Sequence, residues 1–221
     1  MRAVLVAVLL ALGLPALAQG TKDAPPGQAA PPSQPQAQAP APAPGQRTPM
    51  AIVTALPQEI LGFRRDGDPV DYESRSPGLG ASVNYRRIGG AGLVTVYVYD
   101  GYTPPRRLAD GVRAEEVAAH LRSAGNEIVQ AAQQRGTKLT GPVEVAAAPG
   151  PTGQPAMRCQ RWGMLLDNGE TAESHLCLGV LQGRLLKLRV TQPPVPATRD
   201  AEVAAFGAAV VRALVGAPGG K

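Results

Sequence analysis

Two cysteines placed on either side of an Asp-Asn-Gly tripeptide at 167–169 constrain this chain more than any other feature. Asp-Asn-Gly is typical of a three-residue hairpin loop, a type I turn closed by a glycine in the left-handed region. Counting outward from that loop places Cys159 opposite Cys177 at a non-hydrogen-bonded site, where Cα atoms lie about 4.5 Å apart. A two-residue Asn-Gly turn would instead place Cys159 opposite Leu178. The cysteine pair favours the three-residue loop, and the sequence predicts a Cys159–Cys177 disulfide.

The same register assigns the side chains of the hairpin to two faces, because successive residues of a strand point to opposite sides. One face is apolar and predicts contact with the core; it carries Trp162, Met164, Leu166, Leu176, Leu178 and Val180. The other face is mixed and could be covered or solvated; it carries Cys159, Arg161, Leu165, Glu173 and His175.

Residues 1–18 have the pattern of a secretory signal peptide. Arg2 precedes an apolar run, and Ala16-Leu17-Ala18 is typical of a cleavage site. The run is shorter than the roughly 20 residues needed to span a bilayer. We therefore expect an exported chain, periplasmic or secreted, with no membrane span. In an oxidising compartment two cysteines favour a disulfide, although two inert core thiols are the alternative.

The composition changes sharply along the chain and indicates its domain plan. Residues 19–50 are rich in Pro, Ala and Gln and lack large apolar side chains other than Met50, which predicts a disordered linker. Residues 51–216 are expected to form one folded domain, and residues 217–221 a flexible tail. The net charge is +5, and the basic residues are scattered along the chain, without a basic helix or interleaved aromatic residues. This pattern argues against nucleic acid as a partner.

The periodicity of the domain predicts an α+β fold. The strands are expected at Val70 to Ser74, Gly80 to Arg87, Leu93 to Tyr99, Val143 to Ala147, on both sides of the Asp-Asn-Gly loop, and at Leu185 to Thr191 after a tight turn. A first helix is predicted to start near Asp110 to Val112 and to end near Gln134, and a second to begin at an N-cap, Thr198, and end near Leu214. The first helix is expected to bury a stripe of Val117, Leu121, Ala124 and Ile128. Strands interrupted by single helices indicate a mostly antiparallel sheet of about six to seven strands with two main helices packed on it.

Several strand and turn segments resemble a group of exported proteobacterial proteins of unassigned function. They are Asp71-Tyr72-Glu73, Pro77-Gly78-Leu79-Gly80, Ser82-Val83-Asn84-Tyr85-Arg86 and the stretch from Thr95 to Gly101. The order of elements is similar to the PsbP-like fold, an α/β/α sandwich. The resemblance implies a non-catalytic assembly or accessory factor, and it assigns no functional residue.

Two groups of side chains are candidates for a site. Arg161, Glu173 and His175 come together across the predicted hairpin, either as a small polar pocket or as a structural ladder of polar pairs. Tyr97, Tyr99 and Tyr102 form either an aromatic contact surface or part of the core.

The sequence lacks the motifs of metal, cofactor and nucleophile sites. His120 and His175 are its only histidines, and neither has the spacing of a metal or nucleophile motif. We therefore expect no metal, no cofactor and no catalytic residues. The leading interpretation is a non-catalytic exported domain that binds or assists a protein or another envelope component. The alternatives are a hydrolase or other enzyme that uses the His175 region, and a module that binds the cell wall or a polyanion.

Overall fold

The computed structural model describes residues 47–101, 107–112, 115–150, 154–194 and 199–216. The predicted signal peptide, most of the predicted linker and the predicted tail lie outside these residues. The described part has an α+β fold, as predicted, with a nine-stranded antiparallel sheet and three helices. The predicted sheet of six to seven strands was too small.

The helices and strands have the following limits. The helices are α1 (Pro49–Thr54), α2 (Glu115–Gln134) and α3 (Arg199–Gly216). The strands are β1 (Glu59–Ile60), β2 (Phe63–Arg65), β3 (Val70–Asp71), β4 (Ala81–Arg87), β5 (Leu93–Tyr99), β6 (Lys138–Pro149), β7 (Pro155–Leu165), β8 (Thr171–Leu181) and β9 (Arg184–Gln192). The predicted N-cap of α3, Thr198, lies outside the described residues.

The strands follow the order β1-β2-β4-β5-β9-β8-β7-β6, and β3 also pairs with β4. Strands β1 to β5 therefore form one half of the sheet, and β6 to β9 form the other. The halves meet where β5 pairs with β9, in a register that runs from Leu93 opposite Thr191 to Tyr99 opposite Leu185. This central pairing joins segments that are far apart in the sequence.

Strands β7 and β8 form the predicted hairpin in the predicted register. Gly169 has a φ of +81°, and its N–H donates to the carbonyl oxygen of Leu166 over 3.0 Å. Cys159 lies opposite Cys177, with a Cα–Cα distance of 4.1 Å and an S–S distance of 1.99 Å. Both cysteines are buried. The structure thus contains the disulfide that the loop and the cysteine positions predict.

Helices α1 and α3 pack on one face of the sheet. Phe206 of α3 makes edge-to-face contacts with Phe63 (5.2 Å between ring centroids) and Tyr85 (5.7 Å). The Tyr85 hydroxyl donates to the carbonyl oxygen of Pro57 over 2.7 Å, so this buried ring keeps a polar partner. The disulfide belongs to the same core. The mixed face of the hairpin is therefore covered at its cysteines by α3.

Helix α2 packs on the opposite face, mainly over β8. Its buried stripe of Val117, Leu121, Ala124 and Ile128 is the predicted one. The start predicted near Asp110 to Val112 was too early: α2 begins at Glu115, and Gly111 instead pairs with Val180 of β8. The stripe contacts an apolar cluster on the sheet, which includes Trp162, Leu176, Leu178, Val180 and Leu185. The sheet thus has helices on both faces, and each face has its own core.

A network of charged side chains attaches α3 to the sheet. Arg87 of β4 lies 2.7 Å from one carboxylate oxygen of Glu202, and Arg199 lies 2.8 Å from the other. The Arg87 guanidinium also stacks on the ring of Phe63, 4.5 Å from its centroid. Burial alone would raise the pKa of Glu202, but the hydrogen bonds and charges of Arg87 and Arg199 lower it below its ordinary value.

The sequence missed the two short strands β1 and β2 and predicted β3 as too long. Strands of two and three residues are too short to show a periodicity. Strand β3 keeps only the start of the predicted segment Val70 to Ser74. The Glu73 carboxylate accepts hydrogen bonds from the N–H groups of Gly78 (2.9 Å) and Gly80 (2.8 Å), which folds the chain back toward β4.

Strand β6 is longer than the predicted segment Val143 to Ala147. Its pairing with β7 continues on both sides, with register shifts between Thr140 and Val143 and between Val145 and Ala148. The Gly-Pro dipeptide at 141–142 lies within the first shift. A pattern that favours a strand boundary therefore marks an irregularity inside one strand.

We expect the Cys159→Ala/Cys177→Ala double variant to lose about 3 kcal/mol of unfolding free energy, because the disulfide closes a loop between residues 18 positions apart. Urea denaturation followed by Trp162 fluorescence measures the loss. Reduced wild-type protein should show a similar loss. Equal midpoints for the oxidised wild type and the double variant would contradict the prediction.

We expect Glu202→Gln to destabilise the fold by about 1 kcal/mol at neutral pH, since the carboxylate is partly exposed and its ion pairs are partly screened. A carboxyl whose pKa is lowered by folding stabilises the protein above its unfolded pKa, and this stabilisation is lost as pH falls through the folded pKa. The difference between wild type and variant should therefore disappear in acid.

Denaturation midpoints measured at a series of pH values test this expectation. Glu59→Gln is the control, because the Glu59–Arg64 pair is more than half exposed and its loss should change little. A difference between wild type and Glu202→Gln that persists below the pKa of Glu202 would contradict the assigned role of the ion pairs.

Candidate binding surface

Helix α2 covers only part of its face of the sheet, and the side chains beside it are polar. Two neighbouring rows of paired residues, read from β8 through β9 and β5 to β4, are Leu176–Arg189–Thr95–Asn84 and Leu178–Lys187–Tyr97–Ser82. The leucines belong to the core under α2. We define the polar face as Asn84, Thr95, Tyr97, Tyr99, Lys187 and Arg189. On both β5 and β9, the residues that alternate with the polar face are valines and leucines of the core under α1 and α3. The polar face therefore lies on the α2 side of the sheet.

Lys187 lies against the two tyrosines of the polar face. Its ammonium nitrogen is 4.5 Å from the ring centroid of Tyr97 and 5.4 Å from that of Tyr99, within the range of cation–π attraction. Burial lowers the pKa of Lys187, while the negative charge of Glu127 on α2 acts in the opposite direction. The side chain is therefore a half-buried cation that contacts two aromatic rings.

Arg189 is also half-buried. Its Nε is enclosed without a hydrogen-bond partner among the described residues. Burial lowers the pKa of Arg189, and the charge of Arg135 at the end of α2 lowers it further, whereas Tyr97 and Glu127 oppose these effects. A guanidinium stays charged at neutral pH in spite of such shifts. The polar face therefore carries two cations on alternate residues of β9.

Neither Lys187 nor Arg189 forms an ion pair with any residue that the structure describes. By contrast, Arg86 on β4 lies 2.7 Å from Asp66. A cation that has lost water without gaining an ion pair makes the fold less stable. Residues that reduce the stability of the fold are expected at functional sites.

The aromatic surface predicted from Tyr97, Tyr99 and Tyr102 falls on this face for its first two members. Both are partly exposed, and Tyr99 also makes an edge-to-face contact with His120 of α2, at 6.0 Å between ring centroids. Burial raises the pKa of Tyr97. Tyr102 lies outside the described residues. Tyr97 and Tyr99 are thus partly packed and partly exposed.

The predicted polar group of Arg161, Glu173 and His175 lies on the opposite face of the sheet, beneath α3. Arg161 is directly opposite His175, and its guanidinium is 3.6 Å from the Glu173 carboxylate. Asp200 of α3 joins the group: it lies 2.8 Å from Nε2 of His175 and 3.6 Å from Arg161. The His175 side chain has no exposed surface. The cluster joins the first turn of α3 to β7 and β8.

Lys187, Arg189 and Asp200 were not predicted from the sequence as members of these groups. The alternation of β9 does signal a polar side, because Lys187 and Arg189 alternate with apolar residues. Nothing in the sequence shows, however, that β9 pairs with β5 and brings the cations to Tyr97. Asp200 lies in the first turn of α3, where acidic residues are common, so its position alone does not indicate a partner.

The chain has no match among family models, and no curated protein matches it. None of the described helices is long and apolar enough to cross a membrane. In the same residues there is no cluster of three or more His, Cys, Asp or Glu side chains that could hold a metal ion.

We expect Lys187→Met and Arg189→Met each to stabilise the fold, by about 1 kcal/mol or roughly 3 °C in Tm. Methionine removes a desolvated charge but keeps a long side chain, and its thioether makes favourable contacts with aromatic rings. Thermal denaturation followed by circular dichroism measures the shift. A loss of stability in both variants would show that the cations contribute to the fold.

The gain in Lys187→Met should shrink at alkaline pH. Because folding lowers the pKa of Lys187, the folded wild type releases this proton before the unfolded chain does, and its stability rises as pH climbs through the folded pKa toward the unfolded value. The titration of Tyr85 occurs in both proteins and largely cancels in the comparison. The comparison is made in a Tyr97→Phe background, because the Tyr97 ring lies 4.5 Å from the Lys187 ammonium. Arg212→Met, at an exposed position on α3, is the control and should show no such pH dependence.

Proposed function

We propose that this chain is a non-catalytic exported domain that binds a component of the cell envelope, and that the polar face is its binding surface. The observation that carries the proposal is the pair Lys187 and Arg189, two half-buried cations without ion pairs to any described residue, beside two tyrosines of similar exposure. Tyrosine and arginine are enriched at binding hot spots, where an aromatic surface lies next to a charge.

Export is the part of the proposal that rests on the sequence. The pattern of residues 1–18 predicts a signal peptide. The buried Cys159–Cys177 disulfide supports this prediction, because such bonds persist mainly in oxidising compartments. An envelope component is therefore the kind of partner that an exported domain would meet.

The hydrolase alternative requires His175 to reach a substrate. The His175 side chain is fully buried, and its Nε2 is held by Asp200 at the start of α3. Such a pair is more useful for attaching the helix than for proton transfer to a ligand. These contacts favour a structural role for His175 and leave binding as the better supported function.

The proposal is tested by affinity capture with the mature chain immobilised. Wild-type protein, Lys187→Met/Arg189→Met and Arg122→Gln/Arg212→Gln are each exposed to an envelope extract of the native host. The control variant also removes two positive charges, at exposed positions on α2 and α3 that are not among the residues of the polar face. We expect the same component on the wild type and the control, and its loss from the polar-face variant, by quantitative mass spectrometry.

Equal capture by all three proteins, or no specific capture by any, would contradict the proposal. The hydrolase alternative makes the opposite prediction. An activity of the wild type that is lost in folded His175→Gln protein and kept in Lys187→Met/Arg189→Met would favour an enzyme over a binding module.

A further inference from the structure

We infer that the polar face binds an extended acidic segment of a partner protein, with one carboxylate at Lys187 and a second, two residues along the segment, at Arg189. This inference rests on the proposed binding function and specifies its ligand. It follows from the spacing of the two cations and from the tyrosines beside them. The negative charge of Glu127 also contributes, because it disfavours a densely charged polyanion.

The spacing of the two cations matches that of alternate side chains in an extended peptide. Lys187 and Arg189 are two residues apart on β9 and point to the same face. Side chains in this relation are separated by about 6.8 Å along a strand. An extended peptide lying along β9 has the same repeat, so carboxylates on alternate residues would meet both cations in turn.

The tyrosines supply contact area and hold the lysine in place. Tyr97 lies directly opposite Lys187 on β5, and Tyr99 follows on the same face. The contacts of the lysine ammonium with both rings restrict its position before a ligand arrives. A charge that is already positioned and desolvated loses less freedom on binding, which favours affinity for a complementary carboxylate.

Glu127 argues against a dense polyanion as the ligand. This carboxylate acts electrostatically on both Lys187 and Arg189 without forming an ion pair with either. The outer arginines of this side of the sheet, Arg64 and Arg86, are already paired with Glu59 and Asp66. Even with Arg135 nearby, the surface offers a few isolated positive charges. Polyanions are usually held by a longer track of cations, each of which neutralises a phosphate or its equivalent.

The test uses short fluorescein-labelled peptides and the full mature chain, with binding measured by fluorescence anisotropy. One peptide alternates threonine and glutamate, a second replaces glutamate by glutamine, and a third has the same composition as the first with its glutamates adjacent. We expect the alternating acidic peptide to bind the wild type at least about tenfold more tightly than either control peptide.

The protein variants identify the surface. Lys187→Met/Arg189→Met should weaken binding of the alternating acidic peptide at least about tenfold, and Arg122→Gln/Arg212→Gln should leave it within about twofold of wild type. Glu127→Gln should tighten binding about threefold, because it removes a repelling charge. The thermal denaturation of each variant establishes that these differences are not caused by unfolding.

Three results would overturn the inference and also separate it from the proposed function. If no peptide binds while envelope capture still depends on Lys187 and Arg189, the ligand is not an acidic peptide, and the binding function stands. The same conclusion follows if polyphosphate or phosphatidylglycerol vesicles bind through these residues and the peptides do not. If neither capture nor peptide binding depends on the two cations, the inference and the proposed function both fail.

Discussion

The pairing of β5 with β9 is the constraint on which the rest of the structure depends. It joins the β1–β5 half of the sheet to the β6–β9 half, from Leu93 opposite Thr191 to Tyr99 opposite Leu185. A shift of one residue would turn the valines of β5 away from α1 and α3 and would bury the tyrosines. The register therefore determines both the core beneath α3 and the composition of the polar face.

The parts of the fold that could be predicted from the sequence are those whose signals are local. The Asp-Asn-Gly loop and the two cysteines were sufficient for the register of β7 and β8, because the loop type fixes the pairing of a hairpin. Strand β5 and the end of α2 matched their predicted limits, since both have strong and uninterrupted periodicity. The short strands β1 and β2 have no such signal, and β6 contains a dipeptide that favours a loop.

The candidate site was less predictable, because its members come together only through pairings between distant segments. Tyr97 was identified on β5, and the polar residues of β9 were visible in the sequence, but their contact depends on the central pairing. The cluster around His175 was predictable only in part, for the same reason. The hairpin register predicts its cross-strand members, whereas Asp200 belongs to α3 and its contact with His175 depends on how that helix packs.

The position of the disulfide has a consequence for how the chain reaches its native state. Both cysteines belong to one hairpin, so they can meet and oxidise without any contribution from the N-terminal half of the domain. The β5–β9 pairing, in contrast, requires closure of a much longer stretch of chain, which is entropically more demanding. A chain that oxidises first would present β8, already fixed in register, as the template on which β9 and then β5 assemble.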